Sequence, residues 1–125
     1  MRASRRVLLF GHDDMLLHTR SLILEGAGFQ VWTAQNLGHA AETMVIQQID
    51  ALILCQTLSA DERSKAIVMG EALCPEMKVL VLEDEYARAP RRKAVAALDT
   101  ITSPVTFIAA VRRMTVDAEA TPAQE

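Results

Sequence analysis

An uninterrupted apolar segment in the middle of the chain sets the strictest limit on the fold. Residues 51–55 read Ala-Leu-Ile-Leu-Cys and contain no alternation of polar and apolar side chains. A strand with this pattern has to be covered on both faces, as occurs in parallel sheets flanked by helices. The segment therefore predicts a central parallel strand that begins after Asp50 and ends at Cys55.

The composition suits one domain with an aliphatic core. The chain has 125 residues, of which 50% are hydrophobic and 4% aromatic, and a chain of this length buries enough surface to need no disulfide. Cys55 and Cys74 are expected at opposite ends of neighbouring strands, farther apart than the roughly 7 Å between Cα atoms that a disulfide allows. We expect both to remain thiols.

The charge and the hydropathy exclude two classes of partner. A formal net charge of -3 provides no basic field for direct nucleic-acid binding. The apolar segment at residues 7–10 is too short for a signal peptide, and no apolar run reaches membrane-spanning length. We expect a cytoplasmic protein that binds neither a nucleic acid directly nor a membrane.

Short apolar runs alternate along the chain with segments of helical periodicity, which is typical of successive βα units. The predicted strands cover residues 7–10, 30–33, 51–55, 78–82 and 100–102. The predicted helices cover residues 15–26, 37–47, 60–73, 90–98 and 105–114. The start of the fourth helix is assigned to Pro90, because proline is favoured in the first turn.

Polar residues before the helical segments predict their amino-terminal caps. Asp13 or Asp14 precedes the first helix, and Asn36 precedes the second. Ser59 and Glu62 have the spacing of a capping box for the third. The buried face of the first helix is assigned to Leu16, Ile23 and Ala27.

These units favour an α/β fold, a flavodoxin-like, doubly wound (βα)5 parallel sheet with strand order 2-1-3-4-5, because right-handed crossovers satisfy the connection rules. In such sheets the functional site lies beyond the carboxyl ends of the strands, at the switch point between the first and third strands. We expect a crevice there that is formed by Gly11, His12, Asp13, Cys55, Glu83 and Ser103.

Several short motifs occur in an order that matches one protein family. Apolar residues 7–10 precede an acidic turn, residues 25–31 read Glu-Gly-Ala-Gly-Phe-Gln-Val, residues 50–54 and 79–82 read Asp-Ala-Leu-Ile-Leu and Val-Leu-Val-Leu, and Ser103-Pro104 precedes the last helix. Over residues 6–114 the chain resembles the receiver domain of bacterial response regulators, the phospho-accepting module of two-component signalling. The resemblance implies a receiver-like domain at residues 1–116. Residues 117–125, rich in Ala, Thr, Pro and acid, have nothing to bury and are expected to form a disordered tail or a linker stump.

The resemblance assigns the functional positions of the family to residues of different chemistry. The phospho-accepting aspartate corresponds to Cys55, the paired metal-binding acids correspond to Gly11 and His12, and only the neighbouring Asp13 is retained as an acid. The reporting hydroxyl, the aromatic switch and the phosphate-binding lysine with its proline correspond to Glu83, Thr100, Ser103 and Pro104. By resemblance, the peptide bond between Ser103 and Pro104 is expected to be cis.

The replacements remove the requirements for phosphorylation. Formation of an acyl phosphate needs a carboxylate nucleophile, Mg²⁺ held by oxygen ligands, and a cation that neutralises the transferred group. The residues at the matched positions do not properly provide the carboxylate nucleophile, the oxygen ligands for Mg²⁺ or the neutralising cation. We therefore expect no self-phosphorylation, no bound metal, no cofactor and no enzymatic activity.

The first functional hypothesis is a pseudo-receiver, in which the receiver fold acts without phosphate through contact with another signalling protein or output domain, or as a homodimer. A degenerate domain with no switch is the alternative. The usual output and dimer face of the family is basic here, since it carries Arg88, Arg91, Arg92, Lys93, Arg112 and Arg113. A solvated helix surface explains these charges equally well.

The second hypothesis is a thiol or metal sensor in the crevice, with a ligand set made of His12, Asp13, Cys55 and Glu83. Nearby carboxylates and partial burial are expected to raise the pKa of the Cys55 thiol, which opposes reactivity. The alternatives are that Cys55 is a small half-buried apolar residue and that His12 is a turn residue.

Overall fold

Nine regular elements make up the part of the chain that the structure describes. The computed structural model describes residues 5–83, 95–99 and 103–119, with the backbone alone at residues 83, 95–99 and 116–119. In chain order the elements are β1 (Arg6–Phe10), α1 (Asp14–Gly26), β2 (Gln30–Ala34), α2 (Leu37–Gln47), β3 (Ala51–Leu54), α3 (Ala60–Leu73), β4 (Lys78–Glu83), β5 (Val95–Asp99) and α4 (Pro104–Glu119).

The strands form one parallel sheet with the order β2-β1-β3-β4-β5, so the predicted topology is confirmed. Leu8 of β1 lies opposite Trp32 of β2 on one side and Leu52 of β3 on the other. The chain reverses its direction of winding between β1 and β3, and their carboxyl ends therefore border the switch point.

Alternate side chains of the central strand enter two separate cores. On one side Leu52 and Leu54 pack in a cluster with residues of α2 and α3. On the other side Ala51, Ile53 and Cys55 pack in a cluster with residues of α1 and α4. All five side chains are buried, which confirms that β3 is central and covered on both faces.

The helices begin where their caps predict. Asp13 caps α1 and Asn36 caps α2, each by accepting a backbone N–H in the first turn. The amide of Glu62 donates to Oγ of Ser59 over 3.1 Å, while Oε1 of Glu62 accepts the Ser59 N–H over 2.9 Å. This reciprocal pair is the predicted capping box of α3.

The carboxyl-terminal part of the sheet differs from the prediction. Residues 95–99 form β5, paired in register with β4 from Val79 opposite Val95 to Glu83 opposite Asp99, so the predicted helix is wrong over residues 95–98. A short apolar run such as Val-Ala-Ala-Leu fits a buried helix segment or a strand equally well, and the pairing with β4 decides between them. Residues 90–94 of that helix, and the fifth strand that was predicted at residues 100–102, lie outside the described residues.

The end of α4 and the buried face of α1 also differ from the prediction. The last helix runs on to Glu119, three positions into the predicted tail, because Ala118 and Glu119 are good helix formers. The buried residues of α1 are Leu17 and Leu24, whereas the predicted Leu16, Ile23 and Ala27 are only half-buried. The apolar stripe of α1 is therefore shifted by one position.

The Ser103–Pro104 bond is trans, since no peptide bond between described residues is cis. The predicted cis linkage is wrong.

None of the described helices combines the length and the apolar character that crossing a membrane would require.

Candidate functional site

The central strands end at a closely packed pair of residues. Gly11 directly follows β1 and Cys55 directly follows β3. The N–H of Cys55 donates to the carbonyl oxygen of Phe10 over 2.9 Å, and the N–H of Gly11 donates to that of Ala34 over 3.1 Å. The Cys55 side chain is only 1% exposed, so the position that the resemblance assigns to the phospho-acceptor belongs to the core.

Gly11 leaves no room for a side chain. A Cβ atom built on it would lie 2.8 Å from Cβ of Cys55, 3.2 Å from its Sγ, and 3.0 Å from Oγ1 of Thr57. Contacts this short require the neighbours to move. Since the resemblance assigns a metal-binding acid to Gly11, that acid has no space in the present packing.

His12 connects the loop after β1 to the beginning of α3. Its backbone N–H donates to Oγ1 of Thr57 over 2.8 Å, and its Nε2 lies 2.7 Å from Oε2 of Glu62. An ionised carboxylate can only accept, so Nε2 carries the hydrogen of this bond. The backbone N–H of Ser59 and then the His12 ring lower the pKa of Glu62, because both hydrogen bonds favour its charged form.

Two further residues of the predicted crevice serve as helix caps. Oδ1 of Asp13 accepts the N–H of Leu16 over 3.1 Å at the start of α1. Oγ of Ser103 accepts the N–H of Thr106 over 3.1 Å, and Pro104 occupies the first position of α4. The residue to which the resemblance assigns the phosphate-binding lysine thus stabilises a helix terminus.

Glu83 is the last residue of β4, paired in register with Asp99 of β5. Its backbone position places it at the same carboxyl edge of the sheet as Gly11 and Cys55. Thr100, the position of the aromatic switch, lies outside the described residues.

Arg20 is a member of the site that the motif comparison missed. Its Nη1 donates to Oε1 of Gln56 over 3.1 Å. Burial raises the pKa of Cys55, and the nearby Arg20 guanidinium opposes that rise without cancelling it. Among the described residues, the charged group that acts on the thiol is therefore a cation. The side chain of Glu83 and residue 84, the carboxylates expected from the sequence, lie outside the described part.

A helical pattern could have identified Arg20. Leu17, Arg20 and Leu24 have the spacing i, i+3 and i+7, which places them on one face of α1. Leu17 and Leu24 are the buried residues of that helix, so the stripe points Arg20 toward the sheet near the end of β3.

The residues present do not fit Mg²⁺, the metal that the resemblance implies. Mg²⁺ requires oxygen ligands in near-octahedral geometry, whereas Gly11 offers no side chain and Cys55 offers a buried sulfur. Among the described residues no group of three or more His, Cys, Asp and Glu side chains is placed to hold a metal ion. Of the ligand set suggested for a metal sensor, His12 pairs with Glu62 and Asp13 caps α1. The side chain of Glu83 lies outside the described residues.

The basic face is described in part. Nη2 of Arg112 donates to the carbonyl oxygen of Ala27 over 3.1 Å and so links α4 to the end of α1. Arg113 is exposed. The other members, Arg88, Arg91, Arg92 and Lys93, lie outside the described residues.

A groove of about 570 Å³ lies at the opposite edge of the sheet, where α2 and α3 end and where Cys74 is found. Cys55 and Cys74 are both free thiols. Cys55 follows β3 and Cys74 precedes β4, at opposite ends of these neighbouring strands, as expected. This groove is remote from the crevice and includes none of its residues.

Comparisons with solved structures define the class of the fold. A response regulator receiver domain protein (CheY-like) from Methanospirillum hungatei has a TM-score of 0.77 and 16% identity, covering 94% of this chain and 98% of its own. A signal receiver domain of an HD domain-containing protein from Pseudomonas fluorescens has a TM-score of 0.81 and 14% identity, covering 94% and 99%. A structure described as adenylate cyclase from Rhodopirellula baltica has a TM-score of 0.81 and 17% identity, covering 97% and 94%.

The chain therefore has the receiver-domain fold. At these identities the likeness establishes the fold alone. No protein-family model matches the sequence, and no curated protein matches it significantly.

Proposed function

We propose that the chain is a receiver-like regulatory domain of bacterial signal transduction that acts through protein contacts and independently of phosphorylation. The observation that carries this proposal is the packing of Cys55 against Gly11. The acceptor position is held by a buried sulfur, and the neighbouring metal position has no space for a carboxylate.

The electrostatics of the crevice support the same conclusion. Phosphoryl transfer relies on cations that are positioned around the transferred group. Arg20 is a cation near Cys55, but its Nη1 binds Gln56, and Ser103 caps α4 where a lysine would be expected. The thiol of Cys55 is kept protonated by burial, which raises its pKa. We infer that the domain is not an enzyme.

The partner that we propose is another signalling protein or an output domain. Receiver-fold structures among the neighbours come from an HD domain-containing protein and from a protein described as an adenylate cyclase. The exposed Arg112 and Arg113 on α4 support a basic contact face, through which the chain would bind an acidic surface or a second copy of itself. The domain proper would span residues 1–116, and α4 continues to Glu119.

The proposal is tested by exposing the purified protein to Mg²⁺ and a small phosphodonor, such as an acyl phosphate. We expect the intact mass to remain that of the unmodified chain. In parallel, beryllofluoride with Mg²⁺ should leave the backbone amide spectrum unchanged. A stable adduct with the mass of a phosphoryl group, on any residue of the crevice, would overturn the proposal.

A further inference from the structure

The loop after β1 and the loop after β3 are joined by side chains of the protein itself. The His12 N–H is bound by Thr57 over 2.8 Å, and the His12 ring is bound by Glu62 over 2.7 Å. In sequence these partners are separated by 45 and 50 positions. The contacts therefore connect two distant loops at the edge of the crevice.

Glu62 links this connection to the start of α3. Its Oε1 accepts the Ser59 N–H over 2.9 Å while its Oε2 accepts from His12. One carboxylate thus holds both the cap of α3 and the loop after β1. The Phe10 and His12 rings also lie in a T-shaped arrangement, with centroids 6.5 Å apart and an angle of 71° between planes.

We propose that His12, Thr57 and Glu62 form a latch that holds the two crevice loops in one closed arrangement and occupies the role that a bridging Mg²⁺ would have if the loops carried carboxylates. The inference rests on the proposed phosphorylation-independent function and adds which contacts hold the crevice loops in place. The latch consists only of groups within the chain, so the loops need no ion to be fixed.

The packing at Gly11 leaves no space beside the latch for a metal-binding side chain at that position. The close approach of Gly11 to Cys55 and Thr57 draws the two loops together. In that arrangement the Thr57 hydroxyl is used by the His12 amide, and the Glu62 carboxylate is used by His12 and Ser59. The Thr57 hydroxyl and both oxygens of the Glu62 carboxylate are therefore engaged in hydrogen bonds within the chain.

Amide hydrogen exchange measured by NMR tests the latch directly. Thr57→Val removes the acceptor hydroxyl with little change of shape, and we expect the exchange of the His12 amide to accelerate about three- to tenfold, the effect of one net hydrogen bond. His12→Ala removes the ring, and we expect a comparable acceleration at the Ser59 amide. His18→Ala, at an exposed histidine of α1, is the matched control and should change neither amide.

The same experiment includes millimolar Mg²⁺ added to the wild-type protein. We expect no change in the exchange of either amide. If Thr57→Val and His12→Ala, shown to be folded by circular dichroism, leave both amides as protected as in the wild type, the latch is wrong. Protection or spectral shifts caused by Mg²⁺ would equally contradict it.

These outcomes are distinct from a failure of the proposed function. A phosphoryl adduct detected by mass would refute phosphate independence, whatever the exchange rates show. Unchanged exchange in the latch variants, with no adduct in the wild type, would refute the latch alone.

Discussion

Gly11 and Cys55 show how one pair of residues determines the chemistry of an entire site. A glycine is required at position 11 because the neighbouring strand end approaches to within the distance of a Cβ contact. Cys55 fills the space above it with a soft, protonated sulfur. The two residues therefore depend on each other, and replacing either one affects the packing of the other.

This dependence can be measured with Gly11→Ala. The added Cβ would lie 2.8 Å from Cβ of Cys55, and we expect the free energy of unfolding to fall by roughly 1–3 kcal/mol, as for other overpacked sites. Gly26→Ala is the matched control, since a Cβ there meets nothing within 4 Å. It should leave stability unchanged or raise it by up to about 1 kcal/mol. Urea unfolding compares the variants, and equal stabilities for the two would contradict the packing described for Gly11.

At the scale of elements, local sequence signals predicted most of the fold. Asn36 and the Ser59–Glu62 pair mark helix starts by interactions within a few residues, so they can be recognised without knowledge of the tertiary structure. The continuous apolar character of residues 51–55 likewise predicted a central strand. The strand at Val95–Asp99 was missed because its apolar run has no period that separates a strand from a buried helix.

The crevice was predictable in position but not in its contacts. The topology brings Gly11, Cys55 and Glu83 to one edge of the sheet. The pairing of His12 with Glu62 joins residues on two different elements, and no local pattern indicates it. Arg20 could not be predicted from the resemblance, because the resemblance covers only the matched positions and not the helix that packs over them.

The capping box of α3 should make stability depend on pH. Hydrogen bonds from Ser59 and His12 lower the pKa of Glu62 in the folded state, so the stability that they contribute is present above the unfolded pKa of Glu62. It is lost as the pH falls through the lowered folded value. We expect the stability difference between the wild type and Glu62→Gln to shrink as the pH is lowered over that range, measured by urea unfolding. A difference that does not vary with pH would show that the Glu62 charge is not stabilised in the folded protein.

At the scale of the whole molecule, helices on both faces of the sheet contribute residues to the site. Cys55 and Arg20 belong to the side covered by α1 and α4, whereas the latch reaches α3 on the other side. The same α4 carries Arg112, which binds Ala27 at the end of α1. The crevice is thus tied to helices on both faces, and a partner that displaces either layer would act on it without any phosphate.

The most direct measurement of the central claim uses Cys55→Asp, which places a carboxylate at the position that the resemblance assigns to the phospho-acceptor, while Gly11, His12 and Ser103 remain unchanged. The neighbouring Arg20 guanidinium is expected to compensate part of the cost of burying this carboxylate, so that the variant folds and can be assayed. With Mg²⁺ and an acyl phosphate donor, we expect the intact mass of the folded variant to show no phosphoryl adduct, because the metal site and the lysine are still missing. A stable phosphoryl adduct on residue 55 would contradict the account, since it would show that one carboxylate is sufficient to restore the chemistry of the crevice.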